Sequence, residues 1–384
     1  MGRKRTDLAI VNRSFWPDSQ VIGEGLLQFA ETAARDHTVC VLTQTSGNLE
    51  QTLADAGRGA NVQIRACRSY TTSGSGLAKR IAEAIFFMAW TFFSLVRVKP
   101  ATVYVSTNPP VVVPFVVAVY CRLFRAAYVY HLQDIHPEAA NIVVPLNRLV
   151  FKVLQALDNF TIRNAAAAVT LSEDMRTYIN ARASGDIPIH LLDNPSFDRV
   201  PAQTGLPEGD VVFCGNAGRL QRIPLVVAAI RAYLKAGGGL RFTFAGGGVH
   251  AQDIEALASE YEQVQYKGVI SAVEAAELVA GHRWALLPID DEVTRYAFPS
   301  KSSGYALSGA GVLAICGEGT SVARWVRDLN LGVVCEPEHD ALIACFSSLE
   351  GASAPITVPD ELRERLQISH FAQRLTDITL AGGA

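Results

Sequence analysis

Along the 384-residue chain, short runs of β-branched and aromatic residues alternate with longer segments whose apolar residues recur at helical spacing. In the first half the short runs are Asp7 to Val11, Thr38 to Thr43, Val62 to Ala66, Thr102 to Ser106, Ala127 to His131 and Ala167 to Leu171, all of strand length. Between them, Gly23 to Arg35, Ala78 to Val98, Pro110 to Phe124 and Leu146 to Asn164 are long enough for helices, and Ser172 ahead of Glu173 and Asp174 reads as an N-cap. Such alternation predicts a parallel sheet covered on both faces. From Asn194 to Asp210 the pattern dissolves into proline, glycine, serine and aspartate, which favour turns. It then restarts, with strands expected at Val211 to Cys214, Phe242 to Ala245, Gln263 to Tyr266, Trp284 to Pro288, Val312 to Ile315 and Gly332 to Cys335. Helices are expected at Pro224 to Lys235, Ala251 to Tyr261, Ala272 to Ala280, Ser302 to Ser308 and Val322 to Asp328.

The fold class predicted is therefore α/β, with two Rossmann-like doubly wound domains facing across a cleft. Residues 1–197 form the first and 198–360 the second, while 361–384 supply a terminal helix that returns to the first domain. Ligands of such sheets bind beyond the carboxyl ends of the strands, so residues just after strands are the ones to inspect.

Composition narrows the function. Hydrophobic residues make up 49% and charged residues 18% of the chain, and the formal net charge is -3, which suits a well-buried globular protein and excludes nucleic acid as an expected partner. Seven cysteines are scattered without a CxxC pair, so they read as buried thiols of a reducing compartment and not as a zinc cage. A metal held by oxygen ligands stays compatible with that count, although none is expected to be required. The opening MGRKRTDLAIV has too short an apolar run for a signal peptide. Ile81 to Val96 and Val111 to Phe124 are apolar, but they are shorter than a spanning helix and interrupted by Glu83 and Pro114, so both are expected to pack on a sheet.

Several post-strand segments carry candidate chemistry. Gly215-Asn216-Ala217-Gly218-Arg219 leads through Arg222 into a helix, and glycines, free N–H groups and two cations suit a diphosphate; an ordinary strand-to-helix turn explains the same residues. Gly246, Gly247 and Gly248 make either a tight turn or a contact at a nucleotide's rim. Between two strands lies Tyr296-Ala-Phe-Pro299-Ser300-Lys301-Ser-Ser-Gly304, where Pro299, Ser300 and Lys301 would bring hydroxyls, N–H groups and an ammonium to phosphate oxygens.

Phe-Pro-Ser-Lys ahead of a small-residue helix, Gly-Val-Leu-Ala-Ile, and then GEGTSVARWVRDLNLGVVCEP together resemble the donor-binding region of family-four retaining glycosyltransferases with the GT-B fold. The branch most similar builds bacterial O-antigen, capsule and exopolysaccharide. NPSFD at 194–198 is similar to that family's domain-boundary segment, and STNPPVVVPFVVAVYCRLFRAAYVYHLQDIHPEAA resembles its Thr-x-Pro-Pro, apolar helix, strand and Asp-x-x-Pro-Glu order. The likeness implies transfer of a hexosyl or N-acetylhexosaminyl unit from a UDP- or GDP-linked nucleotide-sugar, with no cofactor, to a polyprenyl-diphosphate-linked glycan. It places the protein in the cytoplasm, peripheral on the inner face of the plasma membrane. It implies catalytic roles for His131, Asp134, Arg219 and Lys301, and donor contacts from Gly23, Gly218, Arg219, Arg222, Gly247, Pro299, Ser300 and Lys301. His131 as a core histidine and Asp134 as a helix N-cap are the alternatives; His136, Glu138 and Glu24 are weaker candidates.

One departure stands out. The family's paired glutamates fall on Tyr296 and Gly304, so the ribose-binding carboxylate is missing, and Asp290, Asp291 or Glu292 would have to substitute. That absence motivates a second function, a non-catalytic nucleotide-sugar-binding or assembly subunit. A nucleotide-sugar epimerase on the same scaffold is a third, which needs acid and base carboxylates. Basic residues Arg3, Lys4, Arg5, Lys79, Arg80, Arg97 and Lys99 flank the apolar N-terminal helices and could meet anionic lipid.

Overall fold

The computed structural model describes residues 5–71, 76–183, 186–197, 209–352 and 357–381. Arg3, Lys4 and most of the expected linker lie outside the described residues. The chain divides into two units, one of residues 1–195 with 368–384 and one of residues 196–367.

The first unit runs β1 (Leu8–Val11), α1 (Ile22–Ala33), β2 (Val39–Thr45), α2 (Leu49–Asp55), β3 (Val62–Arg68), α3 (Leu77–Val98), β4 (Thr102–Ser106), α4 (Val112–Phe124), β5 (Ala127–His131), α5 (Glu138–Val143), α6 (Arg148–Arg163), β6 (Ala167–Thr170), α7 (Glu173–Ala183) and β7 (Ile189–Leu191). Its strands are all parallel, in the order β3-β2-β1-β4-β5-β6-β7. The second unit runs β8 (Gly209–Cys214), α8 (Ile223–Lys235), β9 (Phe242–Ala245), α9 (Ala251–Glu260), β10 (Val264–Tyr266), α10 (Ala272–Ala280), β11 (His282–Pro288), a 3₁₀ turn at Val293–Arg295, α11 (Ser302–Leu307), β12 (Gly311–Ile315), α12 (Ser321–Asp328), β13 (Gly332–Cys335), α13 (His339–Leu349) and α14 (Asp360–Arg365). Its parallel order is β10-β9-β8-β11-β12-β13. The last helix, α15 (Ile368–Ala381), belongs to the first unit and packs on α1. In both sheets the chain reverses direction beside the first strand, between β1 and β4 and between β8 and β11, and a crevice opens at such a switch point.

The strand-helix alternation is found where the hydrophobic pattern places it. Helices α2, α13 and α14 and strand β7 were not anticipated. Asn48 starts α2 by accepting the Gln51 amide at 3.2 Å, a cap hidden in a polar loop. β7 has only three residues and is an edge strand, too short to show a period. Helix α5 follows Pro137 directly, so Asp134 caps nothing. Ser172 does cap α7, accepting the Met175 amide at 3.3 Å.

In the first unit Leu8, Ile10, Tyr104 and Val129 pack against Leu26, Phe29 and Ala30 of α1 and Phe371 and Leu375 of α15. In the second, Phe213, Phe242, Phe244 and Leu286 pack against Val226 and Ile230 of α8 and Leu342 and Phe346 of α13.

Helix α3 corrects an expectation. α4 packs as anticipated, burying Val113, Val117, Ala118 and Tyr120. α3 packs by one face only, and that face carries its acid and its uncharged polar residues: Glu83, Thr91 and Ser94 are buried with Phe87 and Leu95. Ile81, Ile85, Phe86 and Phe93 are exposed, Phe93 by 70%. Residues 78–98 form one helix long and apolar enough to cross a membrane. The Glu83 that argued against insertion points inward, where it accepts hydrogen bonds from Ser69, Thr71 and the backbone amides of Tyr70 and Thr71.

Candidate functional site

In the second unit the switch point gathers the loops after β8, β9 and β11 and the start of α11. The first two lie back to back. The Gly215 amide donates to the Ala245 carbonyl at 2.9 Å, and the Ala217 amide to the Gly247 carbonyl at 2.7 Å. Gly246 has φ +123°, and a Cβ there would stand 1.9 Å from the Gly215 oxygen, so no side chain fits. Gly248, at φ +133°, is fixed in the same way, its Cβ falling 2.5 Å from the Ala217 oxygen, so Gly246 and Gly248 are required by loop-on-loop packing, whereas a Cβ at Gly247 would meet only the Val269 side chain at 3.3 Å. Gly218 is buried, and Gly247 is half-buried beside Val269.

Lys301 is the centre of this arrangement. The residue is half-buried, but its ammonium is enclosed and meets no hydrogen-bond partner among the described residues. Nζ lies 4.0 Å from the centre of the Phe213 ring, a cation–π contact. Gly215, at φ +138°, leaves room for it, since a Cβ would come within 2.7 Å of Nζ. Desolvation pulls the ammonium down to about 8, with the nearby Cys214 acting weakly the other way. Tyr305 holds α11 in place: its hydroxyl donates to the Cys214 carbonyl and accepts from the Cys214 amide, both at 2.9 Å. Phe213 and Tyr305 were not foreseen as site residues; the only sequence signal was Tyr305 standing one turn after Lys301.

Arg222 is committed elsewhere. Its guanidinium contacts Asp290 at 3.3 Å and Asp291 at 3.2 Å and donates to the Ile289 carbonyl at 3.0 Å, clamping the α8 start to the end of β11. That corrects its expected role as a phosphate ligand. It also corrects Asp290 and Asp291 as substitutes for the missing glutamate, because Asp291 further accepts the Gly317 amide at 3.0 Å and Asp290 the Glu292 amide at 3.0 Å. Arg219 and Ser300 are exposed and Pro299 is half-buried beside Lys301. At Gly304 a Cβ would meet the Ser196 hydroxyl at 3.4 Å, so a hydroxyl from the boundary segment stands next to the vacated carboxylate position. Tyr296 is buried with its ring under the Arg295 guanidinium at 5.7 Å.

In the first unit His131 is fully buried, correcting its expected place at a reaction centre. Nδ1 lies 2.6 Å from the Tyr104 hydroxyl, the ring packs on Tyr104 and Phe371, and burial pushes it down to about 3, so it is neutral and sealed from substrate. Asp134 keeps an accessible side chain, while desolvation by the surrounding protein pushes its carboxyl up to about 6. Gly23 is buried because a Cβ would run into the backbone of Phe15 and Trp16 at 2.8 and 2.7 Å; its amide donates to Ser19 at 3.3 Å, and no opening to a ligand remains there. Glu24 is paired with Arg58 at 2.9 Å. Glu138 accepts from Arg182, Tyr178 and Gln155 at 2.7, 2.8 and 2.7 Å, and Arg182 also contacts Asp158, which accepts Tyr130 at 2.7 Å. That buried network is structural. Among the described residues no cluster of three or more His, Cys, Asp or Glu could hold a metal ion.

Two parallel doubly wound units with this connectivity define the GT-B glycosyltransferase fold, and residues 26–195 match the family described as "Glycosyl transferase 4-like domain". The family match supports a role in glycosyl transfer. Similar solved structures include sucrose-phosphate synthase from Thermosynechococcus elongatus, 14% identical with a TM-score of 0.71 over 97% of this chain and 98% of that one. HepE from Anabaena in complex with UDP-glucose is 15% identical, with a TM-score of 0.59 over 98% and 96%. A UDP-N-acetylglucosamine 2-epimerase from Listeria monocytogenes, itself named as putative, is 10% identical, with a TM-score of 0.59 over 97% and 95%. These likenesses carry the fold alone. No curated protein sequence matches the chain.

Proposed function

We propose that this protein transfers a sugar from a nucleotide-sugar to a lipid-linked glycan in cell-surface polysaccharide synthesis, with retention at the anomeric carbon. The observation that carries the reading is the enclosed, unpartnered ammonium of Lys301 at the switch point of the second unit. A buried charge without a counter-ion is costly, and a donor diphosphate supplies the anion it lacks. Lys301, with the exposed Arg219 of the loop after β8, would then stabilise the charge that develops as the diphosphate leaves, while the acceptor hydroxyl attacks from the same face. Asp134, accessible and raised toward 6, is the first-unit group suited to meet a hydroxyl proton.

A uridine-linked donor is supported by the similarly folded HepE from Anabaena, solved in complex with UDP-glucose. Ser196 and the Gly304 backbone replace the carboxylate that usually grips the ribose, so ribose recognition would be weaker and donor selectivity broader. An epimerase needs free acid and base carboxylates beside the sugar; Asp290 and Asp291 are tied to Arg222.

The acceptor's lipid is supported by α3. A helix whose Glu83, Thr91 and Ser94 face inward while Ile81, Ile85, Phe86 and Phe93 face outward is inverted for a water-exposed surface. Lys79, Arg80, Arg97 and Lys99 bracket that stripe, and no exposed acid interrupts it, which suits the interface of an anionic bilayer at the cytoplasmic face. The test is a panel of UDP- and GDP-sugars with a polyprenyl-diphosphate acceptor. Acceptor-dependent sugar incorporation that disappears in Lys301→Ala supports the reading. Epimerised donor without acceptor favours the epimerase, and binding without turnover favours an assembly subunit.

A further inference from the structure

At the amino-terminal edge of the first sheet, opposite the carboxyl ends where ligands of such folds bind, lies a cavity of about 480 Å³. Arg5 enters it ahead of β1, Arg97 and Lys99 from the end of α3, Pro100 ahead of β4, and Tyr120 and Phe124 from the last turns of α4. A shallower trough of about 700 Å³ runs along the outer side of α3 past Phe86, Ala89, Trp90, Phe93 and Val96. Arg97 lines both, so the two are neighbours.

The cavity offers positive charge and hydrogen-bond donors, and no acid lines it or the trough. Arg97 and Lys99 are exposed and enter no ion pair among the described residues, while the Arg5 guanidinium makes one long hydrogen bond, to the Pro100 carbonyl at 3.5 Å. A cation in a helix's last turn complements the dipole, which accounts for Arg97. It does not account for Tyr120. That side chain is 1% exposed and stacks on Phe124 with ring centres 4.8 Å apart, and its hydroxyl meets no hydrogen-bond partner among the described residues. Burial raises the phenol to about 12, with Arg5 pulling the other way, so the hydroxyl keeps its proton and stands as a donor beside the cations. Buried hydroxyls are seldom left so without a ligand.

We propose that this cavity binds the phosphate of a single anionic phospholipid, held by Arg5, Arg97, Lys99 and the Tyr120 hydroxyl, with an acyl chain laid along the α3 trough over Trp90 and Phe93. Cations and a hydroxyl donor facing one void match a phosphodiester oxyanion, which has acceptors only. A soluble phosphate would fill the cavity and leave the aromatic trough beside it in water. A zwitterionic lipid would bring a further cation against those already there. Because the site lies at the far edge of the sheet from the carboxyl ends of β1 and β4, the lipid holds the first unit on the membrane and is not the sugar acceptor. That it is met in a bilayer rests on the reading of α3 as an interfacial helix; the pocket itself does not.

The test is titration calorimetry on the full chain with dihexanoyl phosphatidylglycerol below its micelle concentration, the matching phosphatidylcholine, and glycerol 1-phosphate. Phosphatidylglycerol should bind about tenfold or more tightly than either of the others. Arg97→Gln combined with Lys99→Asn, which suits the φ of +53° at that position, should weaken it about tenfold or more. Tyr120→Phe should weaken it about threefold or more while the melting temperature stays unchanged, because the hydroxyl has no protein partner to lose. Wild-type affinity in both variants, phosphatidylcholine bound as tightly as phosphatidylglycerol, or glycerol 1-phosphate bound as tightly as the lipid overturns the proposal. Should the double variant fail to fold, Tyr120→Phe reads the same site. Flotation with phosphatidylglycerol vesicles separates the two readings. Vesicle binding that is lost in Phe93→Ser, with no binding of the soluble lipid, would keep α3 on the membrane and reject the pocket; soluble-lipid binding that depends on Tyr120, without vesicle binding, would reject the interfacial helix and leave the pocket standing.

Discussion

Replacing Lys301 with methionine should make the unliganded protein more stable and the enzyme nearly inactive. Methionine fills the same channel beside Gly215 and over Phe213 without a charge. Lowering a lysine from its ordinary 10.5 to about 8 corresponds to about 3 kcal/mol of disfavour for the charged form in the fold. The lost cation–π contact returns about 1–2 kcal/mol of that, so a net gain of about 1–2 kcal/mol is expected at pH 7. For a unit of this size that is a rise in melting temperature of about 2–8 °C. The sign with pH is fixed by the same shift. Between about 8 and 10.5 the unfolded chain still holds the Lys301 proton and the folded state has begun to release it, so wild-type stability climbs with pH there and the variant's advantage closes. Donor turnover should fall about 10²- to 10³-fold, the scale of losing one group that stabilises transition-state charge. Differential scanning fluorimetry from pH 6.5 to 10.5 and a transfer assay read the two effects separately. A variant less stable than wild type at pH 7 that keeps its turnover would show the ammonium to be a structural group, and the reasoning would fail.

Other perturbations follow from the same geometry. Arg182→Met strands two buried carboxylates, Glu138 and Asp158, and should lower stability by about 3–5 kcal/mol in a denaturant melt. Tyr305→Phe removes the contacts to both polar groups of Cys214 and should cost about 1–3 kcal/mol while raising the donor KM more than it lowers kcat, because Lys301 is retained but no longer held. Gly246→Ala forces a side chain onto the Gly215 carbonyl at an unfavourable φ, so donor binding measured by calorimetry should disappear with about 1–3 kcal/mol of stability. His131→Gln should keep transfer; its buried neutral ring has its pKa lowered to about 3, so the wild type loses stability as pH falls from about 6.5 toward 3, and the variant should show a flatter acid limb. Abolished transfer with an unchanged melt would return His131 to the chemistry.

Much of this protein was legible in the chain. The two sheets follow from apolar runs of strand length separated by helical periods, because burial on both faces of a parallel sheet leaves that pattern in any sequence. Lys301 could be singled out in the chain by its place in a Pro-Ser-Lys turn between strands, though a solvated surface lysine reads the same there and only packing shows its ammonium enclosed. What the sequence could not give was the partner of each charge. Arg219 and Arg222 look alike in one dimension, yet Arg222 is spent on Asp290 and Asp291 some seventy residues away. His131 stands at a strand's carboxyl end, as a reaction-centre residue would, but α15 returns at the chain's end and lays Phe371 against it. The inward turn of Glu83, the outward apolar stripe of α3 and the gathering of Arg5, Arg97 and Lys99 around Tyr120 also arise from which face each helix lays on its sheet. Periodicity determines that such elements form; only packing decides which polar groups are satisfied by protein and which are left for a ligand.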